Sequence, residues 1–127
     1  MYTSGVVGTL ADERYISLTT YKRDGTPVST PVWVVSDDGE RLLVWSAEKT
    51  WKVRRVRRDP HVLVAASNFR GRERGDRLPA QARVIPDPGI DGLLRRKYGW
   101  QKRGLDLLNG RADAGAWATI EIRDSAQ

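Results

Sequence analysis

The chain has 127 residues, with 22 Lys and Arg against 16 Asp and Glu, one histidine and no cysteine. That length suits a single domain over residues 1–127, able to bury roughly two-thirds of its unfolded surface around one core. The missing cysteines exclude disulfides, thiolate metal sites and cysteine nucleophiles. The lone His61 argues against a His-rich metal centre or a Ser-His-Asp triad within one chain, so no metal ligand is assigned. No apolar run exceeds five residues, far short of the roughly 20 that a spanning helix requires. No charged start followed by an apolar block marks a signal peptide, and the expectation is a soluble, cytoplasmic domain without a membrane partner. The formal charge of +6 points to an anionic partner without choosing one.

In chain order, Tyr15–Tyr21 alternates, with Ile16, Leu18 and Thr20 on one face and Tyr15, Ser17 and Thr19 on the other. Arg23-Asp24-Gly25-Thr26 reads as a turn, since glycine supplies positive φ just after an aspartate. A second strand runs over Val28–Ser36, Asp37-Asp38-Gly39 closes the next turn, and Arg41–Ser46 forms a third strand. Two successive hairpins predict an antiparallel meander. Thr50 then caps a helix of about two turns with Val53 and Val56 on its buried side. Asp59-Pro60 ends it, because a residue before proline is pushed from helical angles.

His61–Ser67 is the fourth strand, and a polar loop through Arg70-Gly71-Arg72 leads to the fifth, Gln81–Ile85. Asp87 as cap and Pro88 at the first position open a second helix, with Ile90, Leu93 and Leu94 on one face and Gly99 as breaker. A further helical piece carries Leu105 and Leu108 to Asn109-Gly110. Ala116–Ile122 makes the last strand, Trp117, Thr119 and Glu121 alternating with Ala118, Ile120 and Ile122. The pattern predicts a mainly β fold, a six-stranded antiparallel barrel with a short helix after strand 3 and a helical segment before the last strand.

Two features carry function. Pro27 and Pro31 remove backbone donors from a strand that otherwise looks central; this reads either as a barrel corner or as a bulge facing a planar ligand. Trp33 is on the same face as Pro31. Between Lys49 and Arg58 there are six cations and no acid. Lys49 and Lys52 sit at the positive end of a helix dipole, which disfavours cations by about 0.3–1 kcal/mol each. They make sense if an anion occupies that helix end, held by free amides and the ammonium together, with Arg55 one turn on. The bland alternative is a solvated helix face.

The stretches Tyr15–Val34 and Leu43–Val62 resemble the opening hairpin, third strand and phosphate-binding helix of the pyridoxamine-phosphate-oxidase-like split β-barrels. Arg70-Gly71-Arg72 and Tyr98-Gly99-Trp100-Gln101-Lys102-Arg103 resemble a branch described as coenzyme F420-dependent oxidoreductases. The resemblance implies a split β-barrel homodimer whose cofactor sites lie at the interface. It puts a tricyclic ring along Pro31, Val32, Trp33, Trp45 and Ser46, and a phosphate at Lys49, Thr50 and Lys52 with Arg55 close by. FMN-using members often carry arginine immediately before the helix lysine, where this chain has Trp51. F420, with its phosphodiester and acidic tail, is therefore favoured over FMN, and Arg54, Arg57, Arg58, Arg70 and Arg72 would suit that tail.

The implied reaction is hydride transfer from reduced F420 to a small unsaturated or quinone-like acceptor, the cofactor supplying the chemistry. No catalytic residue is assigned: His61 reads as structural, and Ser29 and Thr30 are ordinary strand hydroxyls. Trp33, Trp45 and Trp117 read equally as core or dimer interface. Tyr98 and Trp100 are placed over the partner subunit's site. Two alternatives stand beside the enzyme: an FMN-, haem- or F420-binding carrier or sensor, and a basic nucleic-acid-binding barrel. Cations clustered at one helix entrance, rather than along a sheet face, disfavour nucleic acid.

Overall fold

A tight turn starts the sheet. The Lys22 amide donates to the Thr26 carbonyl at 2.9 Å, Gly25 takes φ 88°, and the Asp24 carboxylate accepts the Thr26 amide at 2.9 Å. A computed structural model describes residues 6–47, 49–99 and 117–125. The strands are β1 (Tyr15–Tyr21), β2 (Pro27–Val32), β3 (Leu42–Ala47), β4 (His61–Ser67), β5 (Leu78–Ile85) and β6 (Trp117–Asp124). Helix α1 (Trp51–Arg58) follows β3, and α2 (Ile90–Tyr98) follows β5. The helical piece expected around Leu105 and Leu108 lies outside the described residues, as do Ala116 and Trp100.

All six strands pair antiparallel in the order β2-β1-β4-β5-β6-β3, curled into a half-barrel. Ile16, Leu18, Val44, Val64, Ile120 and Ile122 fill the concave side, and Val53 and Val56 of α1 close it, as the helical spacing predicts. The expected meander is corrected at its second step. Strand β3 does not return along β2 but crosses to the far edge and pairs with β6, Trp45 opposite Thr119. Among the described residues a single bridge joins the two edges, Val35 to Leu43, with amide–carbonyl distances of 3.0 and 2.7 Å. The second strand accordingly stops at Val32 rather than Ser36.

The prolines explain why those edges stay apart. The Thr26 carbonyl points at β1, so residues of opposite parity, Pro27, Ser29 and Pro31, turn their backbone groups to the open side. Both prolines therefore lose their N–H where no ladder bond exists, the placement an edge strand tolerates.

Helix α2 lies on the outer face, with Ile90, Leu94 and Tyr98 buried against Val35 and Leu43. Its start differs from the expected Asp87-Pro88 opening. Gly89, at φ 93°, is the capping residue, and the Asp87 carboxylate reaches past it to accept the amides of Gly89 and Ile90, both at 2.8 Å. At the other end, the Lys97 ammonium donates to the carbonyls of Ala11, Glu13 and Val34 at 2.7, 2.5 and 2.7 Å. The Tyr98 hydroxyl accepts the Val34 amide at 3.0 Å and lies 2.8 and 2.9 Å from the carbonyls of Arg14 and Val34. Burial pushes that phenol up to about 12. Its ring stacks on Trp33, centroids 4.3 Å apart and planes 9° from parallel. Tyr98 is thus buried within its own chain rather than placed over a partner.

Strand β6 alternates as expected, yet both its faces are buried, because the outward Glu121 is enclosed by arginines. Its carboxylate, 2% exposed, accepts from Arg41 and Arg83 at 2.7 Å each and is ion-paired with Arg123 at 3.1 Å. Arg41 also grips Asp37. Burial pushes the Glu121 carboxyl up, but the bonds from Arg41 and Arg83, with the Arg123 charge, outweigh it and hold it below the ordinary glutamate value. Such a group contributes stability that is present above its unfolded value of about 4.3 and is lost as pH falls through the folded value.

Thermal denaturation followed by circular dichroism should therefore show a melting temperature that drops as pH falls below about 4. Glu121→Gln should cost about 2 kcal/mol at neutral pH in urea titrations and flatten that acid limb; an unchanged limb would remove Glu121 from the account. Tyr98→Phe keeps the stack but strands the Val34 amide, and should cost about 1–3 kcal/mol in the same titrations.

Candidate functional site

The gap between β2 and β3 opens on the outer face into a cavity of about 400 Å³, within the size range of small-molecule sites. Pro31, Val32 and Trp33 form one wall, and Trp45, Ser46 and Ala47 the other. Trp117 extends the second wall, tilted against Trp45 at a centroid distance of 4.7 Å. Tyr15 and Leu94 border the end near the Val35–Leu43 bridge, while Thr50 and Lys52 border the opposite end. From Leu43 to Ser46 is three residues, a rise of about 10 Å. The cavity is a slot with aromatic sides and a cation at one end.

Helix α1 gives the cationic end its character. Its first turn has no acid, and no side chain caps it. The Thr50 hydroxyl instead donates to the Ala47 carbonyl at 2.9 Å and lies 2.9 Å from the Ser46 hydroxyl. The first amides of the helix are left for another acceptor. Lys52 is half-buried, with no carboxylate partner among the described residues. Burial, and then the charge of Arg55, push its ammonium below the ordinary lysine value. An anion at this end would relieve both.

Seven of the nine residues singled out in the sequence line this cavity: Pro31, Val32, Trp33, Trp45, Ser46, Thr50 and Lys52. Lys49 is exposed in the turn before α1 and does not line it. Arg55, close enough to Lys52 to act on its charge, does not line the cavity but lines a second hollow of about 500 Å³ with Lys22, Arg23, Trp51, Arg54 and Arg58. There the Arg54 guanidinium lies 4.9 Å above the Trp51 ring, which is 65% exposed. Arg54 and Arg58 of the expected cationic field line that hollow, while Arg57, Arg70 and Arg72 do not. The loop bearing Arg70 and Arg72 sits instead beside β2. Gly71, at φ 87°, passes so close that a Cβ there would meet the Pro31 ring at 3.4 Å.

Tyr15, Ala47, Leu94 and Trp117 also line the cavity, without having been singled out as site residues. Their convergence depends on β3 crossing the sheet and on α2 folding back, which no local pattern reveals. Ser29 is engaged with Thr19, 2.7 Å between hydroxyls, and His61 is exposed on β4 with its ring against Asp59. Neither faces the cavity. The described residues contain no group of three or more His, Asp or Glu arranged to hold a metal ion, and no described helix is long and apolar enough to cross a membrane.

Comparison with known proteins places this geometry. The haem storage protein HutZ of Vibrio cholerae is 14% identical, with a TM-score of 0.66, covering 100% of this chain and 93% of that one. A FAD-binding protein of Mesorhizobium loti is 20% identical, with a TM-score of 0.59 and coverage of 99% and 90%. An F420 reductase is 22% identical, with a TM-score of 0.54 and coverage of 93% and 92%. These likenesses establish the fold. No curated protein matches the chain. Residues 5–121 match the family profile for pyridoxamine 5'-phosphate oxidase, and with that match across most of its length the chain belongs to the pyridoxamine 5'-phosphate oxidase family.

Proposed function

We propose that the chain binds coenzyme F420 in the β2–β3 cavity and transfers a hydride from its reduced form to a small unsaturated or quinone-like acceptor. The observation that carries this reading is an aromatic slot ending at an uncapped helix beside a half-buried lysine that has no carboxylate partner among the described residues. A planar tricyclic ring fits between Trp33 and the Trp45–Trp117 pair, and a phosphate fits the first amides of α1 with Lys52. The bound cofactor would supply the hydride chemistry. The chain's own part is to orient the ring, exclude water and hold the anionic end.

The outer hollow favours F420 over FMN. A monophosphate would end at Lys52, whereas a diester with an acidic tail continues past α1 to Arg55, Arg54, Lys22 and Arg23. FMN is the second reading, supported by the same slot and by likeness to a FAD-binding protein. Haem is less well served, because the chain's single imidazole, His61, stands outside the cavity. The assembly we propose is a homodimer, cytoplasmic, without nucleic acid or membrane as partner. Exposed Phe69 and Trp117 supply apolar surface for a second copy.

Titrating the protein with F420 and, separately, with FMN, following tryptophan quenching, tests the cofactor. F420 should bind more tightly, and Lys52→Ala should weaken it about 10- to 100-fold with the melting curve unchanged. Equal affinity in the variant would remove the phosphate end. Reduced F420 with quinone and enone acceptors then separates an enzyme from a carrier. Light scattering at micromolar concentration should give twice the monomer mass of 14.3 kDa; a clean monomer would exclude a shared site.

A further inference from the structure

The cavity holds few groups able to give up a proton, and they are unequally employed. The Ser46 and Thr50 hydroxyls are occupied with each other and with the Ala47 carbonyl. Lys52 stands at the helix end, where an anion would claim it. Tyr15 is different. It begins β1 opposite Ser67, half-buried, and lines the cavity at the end bordered by Trp33 and Leu94. Its hydroxyl has no hydrogen-bond partner among the described residues, whereas that of nearby Tyr98 is fully engaged. The Tyr15 phenol is half-buried while its hydroxyl stays open to solvent, so it is free to donate to an acceptor atom bound in the slot.

The geometry points to Tyr15 as a catalytic residue: its hydroxyl hydrogen-bonds the carbonyl or quinone oxygen of the acceptor and gives that oxygen its proton during reduction. This rests on the cofactor reading above, with the ring between Trp33 and Trp45 and the phosphate at Lys52. For an enone, a bound reduced cofactor would supply a hydride, two electrons and one hydrogen, to the acceptor's β-carbon. The C=C π pair moves to the α-carbon–carbonyl unit, and negative charge gathers on the oxygen. The Tyr15 O–H bond breaks as that oxygen takes the proton, and the tyrosinate recovers one from water. The acceptor would thus gain two electrons and two hydrogens, both electrons and one hydrogen as hydride from the cofactor and the other hydrogen as a proton from Tyr15. A donor aimed at the atom where charge develops acts mostly in the transition state. Acceptors bearing a conjugated oxygen would therefore be selected over isolated alkenes, which offer Tyr15 nothing to hold.

Tyr15→Phe tests this without disturbing the ring that packs there. The variant and wild type would be titrated with F420 and FMN, then, loaded with whichever oxidised cofactor binds, with 4-nitrophenolate. The oxygen of that probe mimics the charged oxygen of the reduced acceptor. Its absorbance reports binding directly. Tyr15→Phe should keep cofactor affinity within about twofold, bind nitrophenolate at least tenfold more weakly, and reduce cyclohexenone or a quinone at least 100-fold more slowly. Wild-type cofactor binding with nitrophenolate affinity and turnover unchanged in the variant would overturn the role of Tyr15 and leave the cofactor reading intact. If neither cofactor bound wild type, both would fall. A parallel loss of cofactor affinity in the variant would also overturn it, since the hydroxyl would then be holding the ring rather than the acceptor.

Discussion

The architecture turns on two strands that do not pair. Strands β2 and β3, the two ends of the sheet order, face each other across an unzipped seam, joined at Val35 and Leu43 and nowhere else among the described residues. Everything distinctive about the outer surface follows from that seam. Its edges carry Pro31 and Trp33 on one side and Trp45 and Ala47 on the other, so the gap is lined by side chains rather than bridged by amides. Two prolines with their missing N–H groups turned into the gap leave Ser29 as the one β2 residue with an N–H there for a closing ladder.

Holding such a seam in a fixed shape requires support from outside the sheet, and α2 provides it. Tyr98 backs the Trp33 indole and satisfies the Val34 amide, while Lys97 gathers three carbonyls from the chain before β1 and after β2. The first contact sets the orientation of a cavity wall, and the second fixes the backbone that carries it. On the opposite flank, the arginines around Glu121 tie the β3–β5–β6 face together with charge rather than apolar packing. The slot is thus braced on both sides by groups that never touch its contents.

Local chemistry made part of this legible. The β1–β2 turn is written in Asp24-Gly25, α1 in the spacing of Val53 and Val56, and its anion-seeking end in Lys52 with no acid nearby. Those signals act over one or two turns of chain and need no partner. The crossing of β3 to pair with β6 is invisible at that range, since Asp37-Asp38-Gly39 looks the same whether the strands it joins stay together or part. Leu94 and Trp117 reach the cavity through that crossing and the return of α2, while Tyr15 comes beside it through the β1–β2 pairing that sets Ile16 opposite Val32. Arg55 lies close enough to Lys52 to act on its charge, yet it lines the next hollow and not the cavity, a distinction of one helical turn that spacing alone does not draw. Glu121 gave a faint warning, a carboxylate alternating with apolar neighbours in a chain scattered with arginines.

The unbalanced start of α1 also shapes how this protein can change over evolutionary time. An acid in its first turn would stabilise the helix by about 0.3–1 kcal/mol and would quiet the repulsion between Lys52 and Arg55. The same exchange would cancel the local field that attracts an anion. Selection for robustness of the empty chain and selection for ligand capture therefore pull this one turn in opposite directions. A lineage released from its ligand would be expected to acquire Asp or Glu there early, and the charge of that turn becomes a record of whether the pocket is still in use.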